Sequence, residues 1–86
     1  MIMDEYEVYD AVNAMIPDFV DRESAEDELS QSYPDIATLM LFSDAFEERA
    51  LPLEAIDIVL REAVYDPLLM VAKRIKAKIL AEQAAA

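Results

Sequence analysis

Apolar residues recur along this chain at the spacing of an α-helix, and most proline residues stand near a place where one apolar stripe gives way to the next. Positions three or four residues apart share one face of a helix, whereas a half-buried strand would alternate apolar and polar residues. The chain has 4 Pro and no Gly, and glycine supplies the positive φ that tight hairpin turns need. The pattern therefore predicts an all-α fold, a compact bundle of four to five short helices.

The first apolar stripe predicts a helix over residues 4–16. Asp4 is suited to cap it, and Glu7 stands three residues later, as in a capping box. Pro17 lacks an amide hydrogen and clashes with the preceding turn, so we expect a break there and a short helical continuation after it. The stripe stays in phase across the proline and comprises Val8, Tyr9, Val12, Met15, Ile16, Phe19 and Val20.

The next two segments differ in apolar content. Residues 21–33 hold few apolar side chains and predict a short surface helix or an ordered turn, with Ser24 as its N-cap. Residues 32–50 begin at Ser32 and are apolar around most of a helical circumference, so we expect a central helix buried on several sides. Its main stripe comprises Ile36, Leu39, Met40, Phe46 and Ala50, whereas Leu41 and Phe42 fall outside it.

The last two segments have the clearest helical patterns. Residues 51–66 predict a helix on whose outer face Asp57 and Arg61 are spaced to pair. Residues 66–86 predict another, because Asp66 is a good N-cap and is followed at once by proline, which suits the first helical position.

Residues 1–86 are predicted to form one helical domain, because the chain is shorter than most two-domain proteins. Its Ala-rich end, residues 81–86, is expected to fray. The side chains expected in the core are Val12, Ile16, Phe19, Ile36, Leu39, Met40, Phe46, Ile56, Leu60, Ile75 and Ile79.

The composition argues against most enzymes. There is no His and no Cys, which removes the usual general base near neutral pH and the commonest nitrogen and sulfur ligands of metals. The acidic run over residues 21–28 lacks the glycine and the ligand order of a calcium loop. We therefore predict a non-enzymatic protein with no catalytic residues, no cofactor and no metal site.

The remaining composition predicts a folded cytoplasmic protein. Apolar residues make up 56% of the chain although its net charge is -12, whereas disordered chains combine high net charge with few apolar residues. The N-terminus is acidic where a signal peptide would be basic, and no apolar run approaches the roughly 20 residues that span a bilayer. We expect no contact with a membrane.

Charge is distributed unevenly along the chain. Over residues 1–28 the only base is Arg22, and over residues 67–86 the only acid is Glu82. The acids of the first range are Asp4, Glu5, Glu7, Asp10, Asp18, Asp21, Glu23, Glu26, Asp27 and Glu28. The bases of the second range, here called the basic cluster, are Lys73, Arg74, Lys76 and Lys78.

Three interpretations of the basic cluster remain open. It is a solvated face near a helix C-terminus, or it pairs with the acidic first segments within the chain or across a dimer, or it is a patch that binds nucleic acid or a membrane. The strongly negative chain disfavours the last, so we predict no direct binding of nucleic acid. An apolar pair edged by lysines suits a contact between helices, and we predict a homo-oligomer, a dimer, with a self-association surface comprising Ile58, Leu69, Lys73, Lys76 and Leu80.

The acidic surface is the best functional lead. Dense carboxylates on rigid helices attract basic protein surfaces and accelerate association. We predict a module that regulates or inhibits a protein with a basic surface through Asp18, Asp21, Glu23, Glu26, Asp27 and Glu28. Two alternatives are an inhibitor that imitates DNA and a structural subunit that forms homo-oligomers. In a third interpretation the acidity only keeps the protein soluble.

Overall fold

Residues 3–85 are described by the computed structural model, and they form five α-helices joined by short loops. The helices are α1 (Glu5–Met15), α2 (Glu23–Ser30), α3 (Pro34–Glu47), α4 (Leu53–Glu62) and α5 (Asp66–Ala85). The radius of gyration is 12.2 Å, close to the roughly 12 Å of a compact domain of this length. The predicted all-α bundle is therefore confirmed, and no helix within residues 3–85 is long and apolar enough to cross a bilayer.

Helix α3 occupies the centre of the bundle, as predicted. It packs against α1, α2 and α5, and α4 completes the bundle by packing against α1 and α5. Helices α2 and α5 both lie on α3 but do not pack against each other. The acidic α2 and the basic α5 are therefore separated by the central helix.

The buried face of α3 differs from the predicted one. The side chains that it buries are Pro34, Ala37, Thr38, Leu41, Phe42 and Ala45. The larger residues of the predicted stripe, such as Leu39, Met40 and Phe46, are only partly buried and pack at the edge of the core. With three helices around α3, the small Ala37 and Ala45 allow close approach on the face where Leu41 and Phe42 fill the space.

The other core predictions hold except the one in the turn after Pro17. Val12, Ile16, Ile56 and Ile75 are buried as predicted, Leu60 and Ile79 pack against the core, and Ile36 is half-buried. Phe19 was placed in the core wrongly, because its side chain is 69% exposed while that of Val20 is 1% exposed. Residues 17–20 form a turn and no helical continuation, so the helical phase does not carry across the proline.

The start of α1 follows the predicted capping box. The Glu7 amide donates to Asp4 Oδ1 at 2.8 Å, and the Asp4 amide donates to Glu7 Oε1 at 3.1 Å. Ser24, by contrast, caps nothing, since α2 begins one residue earlier and the Asp21 carboxylate accepts the Glu23 amide at 2.8 Å.

Helices α2 and α3 both end with a residue in the left-handed conformation. Ser32 has φ 67° and Arg49 has φ 54°. Ser32 therefore closes α2, whereas the sequence had predicted that it starts the next helix. The amide after each of them reaches back to a helical carbonyl, from Tyr33 to Glu28 at 3.0 Å and from Ala50 to Ala45 at 2.8 Å. Glycine is the usual residue at this position of a Schellman motif, and here serine and arginine occupy it.

The end of α4 is tied to the segment before α1. The Met3 amide donates to Glu62 Oε1 at 2.9 Å, and Arg61 Nε lies 3.0 Å from Glu62 Oε2. Arg61 therefore pairs with its neighbour Glu62. The spacing had predicted a pair with Asp57, and this prediction was wrong. The Met3 amide, and next the Arg61 side chain, hold the pKa of Glu62 below its ordinary value of 4.5.

The Glu62 contact gives a pH dependence with a definite sign. A carboxyl whose pKa is lowered by folding stabilises the fold above its unfolded pKa, and this stabilisation is lost as the pH falls through the folded pKa. Between about pH 6 and about pH 3 we expect the wild-type protein to lose more free energy of unfolding than Glu62→Gln. Urea unfolding at several pH values measures both curves, and parallel curves would mean that the contact contributes nothing.

Candidate functional site

The acidic residues predicted to bind a partner lie where α1 ends and α2 begins. They are Asp18, Asp21, Glu23, Glu26, Asp27 and Glu28, and we call them the acidic surface. Four of them, Asp21, Glu23, Glu26 and Asp27, line one open depression of about 800 Å³ together with Arg22 and Ser24. Asp18 is exposed in the preceding turn, and the half-buried Glu28 does not line the depression.

Arg22 stands among these acids, but its guanidinium is directed into the protein. Nε donates to Asn13 Oδ1 at 2.9 Å. Nη1 donates to the carbonyls of Pro17 at 2.6 Å and Val20 at 2.7 Å. Nη2 donates to the carbonyls of Ile16 at 2.8 Å and Asn13 at 3.3 Å. The last carbonyls of a helix lack intrahelical partners, and a cation is favoured beside them. Arg22 therefore caps α1 and fixes the turn that leads into α2.

Arg22 forms no ion pair with the acidic surface, although its charge lies at the same depression. Arg22 is the only Lys or Arg in residues 1–48, and its hydrogen bonds go to backbone carbonyls and one amide side chain. None of the ion pairs found in residues 3–85 includes a carboxylate of the acidic surface. Sequence reasoning missed the capping role of Arg22. The signal was a lone arginine soon after a helix end, where basic side chains often bind the last carbonyls.

An exposed aromatic ring lies within the acidic surface. Phe19 stands between Asp18 and Asp21 in the turn, and its side chain is 69% exposed. Met15, in the last turn of α1, is 41% exposed. Interfaces are enriched in aromatic residues, and the strongest contributors to binding are ringed by polar contacts that exclude water. Phe19 is an exposed aromatic residue close in the chain to Asp18 and Asp21, but it does not line the depression. The helical periodicity had assigned it to the core.

The support beneath the acidic surface is rigid. Ala25 of α2 is fully buried, and Tyr9 of α1 is 4% exposed. Burial, and next the negative charge of Glu26, raise the pKa of the Tyr9 hydroxyl above 10.0. The phenol therefore lies close enough to the depression to sense its charge, and the carboxylates are presented on a packed helix pair.

The basic cluster does not pair with the acidic surface within the chain. Lys76 Nζ instead donates to Asp57 Oδ1 of α4 at 2.7 Å, and Lys78 Nζ lies 5.9 Å from the centroid of the Phe46 ring. Lys73 and Arg74 are exposed and take part in none of the ion pairs of the described chain. The Lys76–Asp57 pair is itself partly exposed and is worth about 1 kcal/mol at most.

The predicted self-association surface is only partly accessible. Ile58 is 8% exposed, so its inclusion was wrong, because α4 is covered by α1 on one side and by α5 on another. Leu69 is half-buried against the core, and Lys76 is held by Asp57. Lys73 and Leu80, the latter 45% exposed, remain available on the outer side of α5.

Comparisons with known proteins add no family. The sequence matches no protein-family model, and neither a curated protein nor a solved structure is significantly similar to it. Within residues 3–85, no group of three or more acidic side chains is arranged to hold a metal ion. The function must therefore be argued from the charge and the exposed apolar side chains of the surface.

Proposed function

We propose that this protein is a non-enzymatic binding module that captures a protein with a basic surface and regulates or inhibits it. The acidic surface attracts the partner, and Phe19, in the turn between Asp18 and Asp21, provides the apolar contact. The observation that carries the proposal is the 69% exposure of Phe19 among carboxylates that have no ion-pair partner in the described chain. Long-range attraction accelerates association, and burial of an aromatic ring slows dissociation.

The exposed ring favours this proposal over acidity that serves solubility alone. Solubility needs charge spread over the surface, and an exposed phenylalanine works against it. Covering the ring with a partner would contribute about 2 kcal/mol. The carboxylates around the ring select a partner whose apolar pocket is edged by Lys or Arg, because an acidic partner would be repelled.

Capture from the native host's lysate tests the proposal when four versions of the chain are compared. Phe19→Ser is expected to weaken retention of the partner by about tenfold or more, as loss of an apolar anchor does. The double variant Glu26→Gln with Asp27→Asn is expected to weaken retention similarly at low salt. At high salt its effect is expected to be smaller, because dissolved ions already screen the attraction between the carboxylates and the partner. The control is Glu47→Gln with Glu48→Gln, which removes two exposed carboxylates at the far end of α3.

The comparison has clear opposing outcomes. A partner lost with both site variants and kept with the control supports the proposal, and its displacement by DNA would identify a nucleic-acid-binding protein. If all four versions retain the same proteins equally, the acidic surface is not the binding site. Thermal unfolding of each variant accompanies the capture, and exposed positions such as Phe19 are expected to leave the melting temperature unchanged within about 2 °C.

A further inference from the structure

The outer face of α5 is apolar and basic, and no other helix covers it. Met70, Arg74, Ala77 and Ala81 follow one another at the spacing of a single helical face, and all four are exposed. The side chain of Met70 is 59% exposed, and that of Leu80, nearer the end of the helix, is 45% exposed. Lys73 and Lys78 flank the same face. A helix of this length extends about 30 Å, so the face offers a long strip of mixed apolar and positive character.

A groove of complementary character lies elsewhere on the bundle. It has a volume of about 510 Å³ and is formed by the start of α1, the start of α3 and the end of α4. Its apolar side chains are Met3, Tyr6, Val8, Ala63 and Val64, and its carboxylates are those of Asp4, Glu5, Asp35 and Glu62. No base lines it. We call it the α1 groove.

Two features of the α1 groove indicate that it could bind a further group: its apolar side chains are exposed, and its carboxylates repel one another. Val64 is 77% exposed and Tyr6 is 49% exposed, although both are large apolar side chains beside an apolar floor. Burial, and next the carboxylate of Glu5, raise the pKa of Asp35 above its ordinary value of 3.8. A cation docked between Glu5 and Asp35 would therefore relieve repulsion that the chain itself leaves uncompensated.

We propose that the α1 groove binds the outer face of α5 from a second copy of this chain. Lys73 and Arg74 of one copy face Glu5 and Asp35 of the other, and Met70 or Leu80 packs against Val64 and Tyr6. Within one chain α5 does not make this contact, because its opposite face packs on α3 and α4 and its outer face stays exposed. Both halves of the contact are present in every copy, and they match in charge and in apolar character.

The net charge of -12 opposes this contact at long range and sets the conditions for observing it. At about 0.15 M salt the Debye length is about 8 Å, so repulsion between whole molecules is largely screened. Partly buried pairs at a contact are screened much less. We therefore expect association to strengthen as salt rises from about 0.01 M to about 0.15 M, whereas binding of a basic partner at the acidic surface weakens.

The contact is separate from the site of the proposed function. The α1 groove lies at the N-terminal end of α1, and the acidic surface begins at its C-terminal end. The helix has 11 residues, which places the two about 16 Å apart. Failure of one proposal therefore leaves the other standing.

A charge exchange between two variants tests the inference by sedimentation velocity over a range of concentrations at about 0.15 M salt. In the first variant Lys73→Glu and Arg74→Glu reverse the α5 face, and in the second Glu5→Lys and Asp35→Asn change the groove. Each variant alone is expected to associate at least about tenfold more weakly than the wild type. An equimolar mixture is expected to recover association, because an unaltered α5 face then meets an unaltered groove.

Three results would overturn the inference. The first is a wild-type protein that stays monomeric up to about 1 mM, since any self-association would then be very weak. The second is a groove variant that associates as strongly as the wild type. The third is an equimolar mixture of the two variants that does not recover association. Val64→Ser and Phe19→Ser form a matched pair of exposed apolar positions. Val64→Ser is expected to weaken self-association and leave partner capture intact, and Phe19→Ser is expected to do the reverse.

Discussion

Replacement of Arg22 by methionine is expected to lower the free energy of unfolding by about 3 kcal/mol. Methionine keeps an apolar stem but removes the donor of the Ile16 and Val20 carbonyls. The carbonyls of Asn13 and Pro17 lose one donor each and keep the amides of Ile16 and Val20. Hydrogen bonds from a charged group contribute about 1.5 to 3 kcal/mol, and several share one guanidinium here. Partial access of water keeps the total below their sum.

Thermal and urea unfolding, followed by circular dichroism, measure this loss. For a domain of this size about 3 kcal/mol corresponds to a fall in melting temperature of about 15 °C. Arg74→Met is the matched control, because Arg74 is exposed and belongs to none of the ion pairs of residues 3–85. Arg22→Lys is expected to lie between the two, since one ammonium reaches fewer carbonyls than a planar guanidinium. Equal melting temperatures for Arg22→Met and Arg74→Met would show that the cap is not stabilising.

The three phenylalanines form a second test, with the largest expected effect at Phe42. Phe42 is fully buried, Phe46 is partly buried and Phe19 is 69% exposed. Truncation to alanine is expected to lower the free energy of unfolding by about 4 kcal/mol at Phe42, about 2 kcal/mol at Phe46 and less than about 0.5 kcal/mol at Phe19.

The order of these effects distinguishes the structure from the helical periodicity alone. The periodicity placed Phe19 and Phe46 in the core and Phe42 outside it, so it predicts the opposite ranking of Phe19 and Phe42. Because domains of this size have only about 5 to 10 kcal/mol in total, Phe42→Ala leaves a marginal protein. Phe42→Leu, with an expected loss of about 1 to 1.5 kcal/mol, is the measurable substitute if the alanine variant does not fold. Urea midpoints give all four values.

Local signals in the sequence were enough for the helix count and most boundaries. The Asp4–Glu7 capping box and the break before Pro17 depend on neighbouring residues only, so they could be read directly. The buried face of α5 was also readable from its apolar stripe, which comprises Leu68, Val71, Ala72, Ile75 and Ile79. Leu68, Ala72 and Ile75 are buried as this stripe predicted.

The face of α3 could not be read in the same way. A helix that is apolar around most of its circumference has no preferred side until its neighbours are placed. The choice between Leu39 with Met40 and Leu41 with Phe42 was made by the packing of three other helices. Phe19 was misplaced for a related reason, since the stripe was extended through a turn that no longer obeys the helical period.

The sequence identified the charged residues of the candidate site but not the contacts that they make. It identified the carboxylates of the acidic surface, because their density is a property of composition. It could not identify the partners of Arg22, since these are mainly backbone carbonyls, which every residue carries. The pairing of Lys76 with Asp57 likewise depends on how α4 lies against α5.

The glycine-free sequence has a consequence for the unfolded state. Glycine gives an unfolded chain extra conformational freedom that folding must remove. At a position whose native backbone suits other residues, replacing glycine therefore favours the fold by about 0.4 to 1 kcal/mol. Lack of glycine destabilises the fold where the native backbone is left-handed, because that conformation costs a residue other than glycine about 1 to 2 kcal/mol. In residues 3–85 this occurs only at Ser32 and Arg49. The strain is thus confined to two helix ends, while the reduced entropy of the unfolded chain benefits the fold along its whole length.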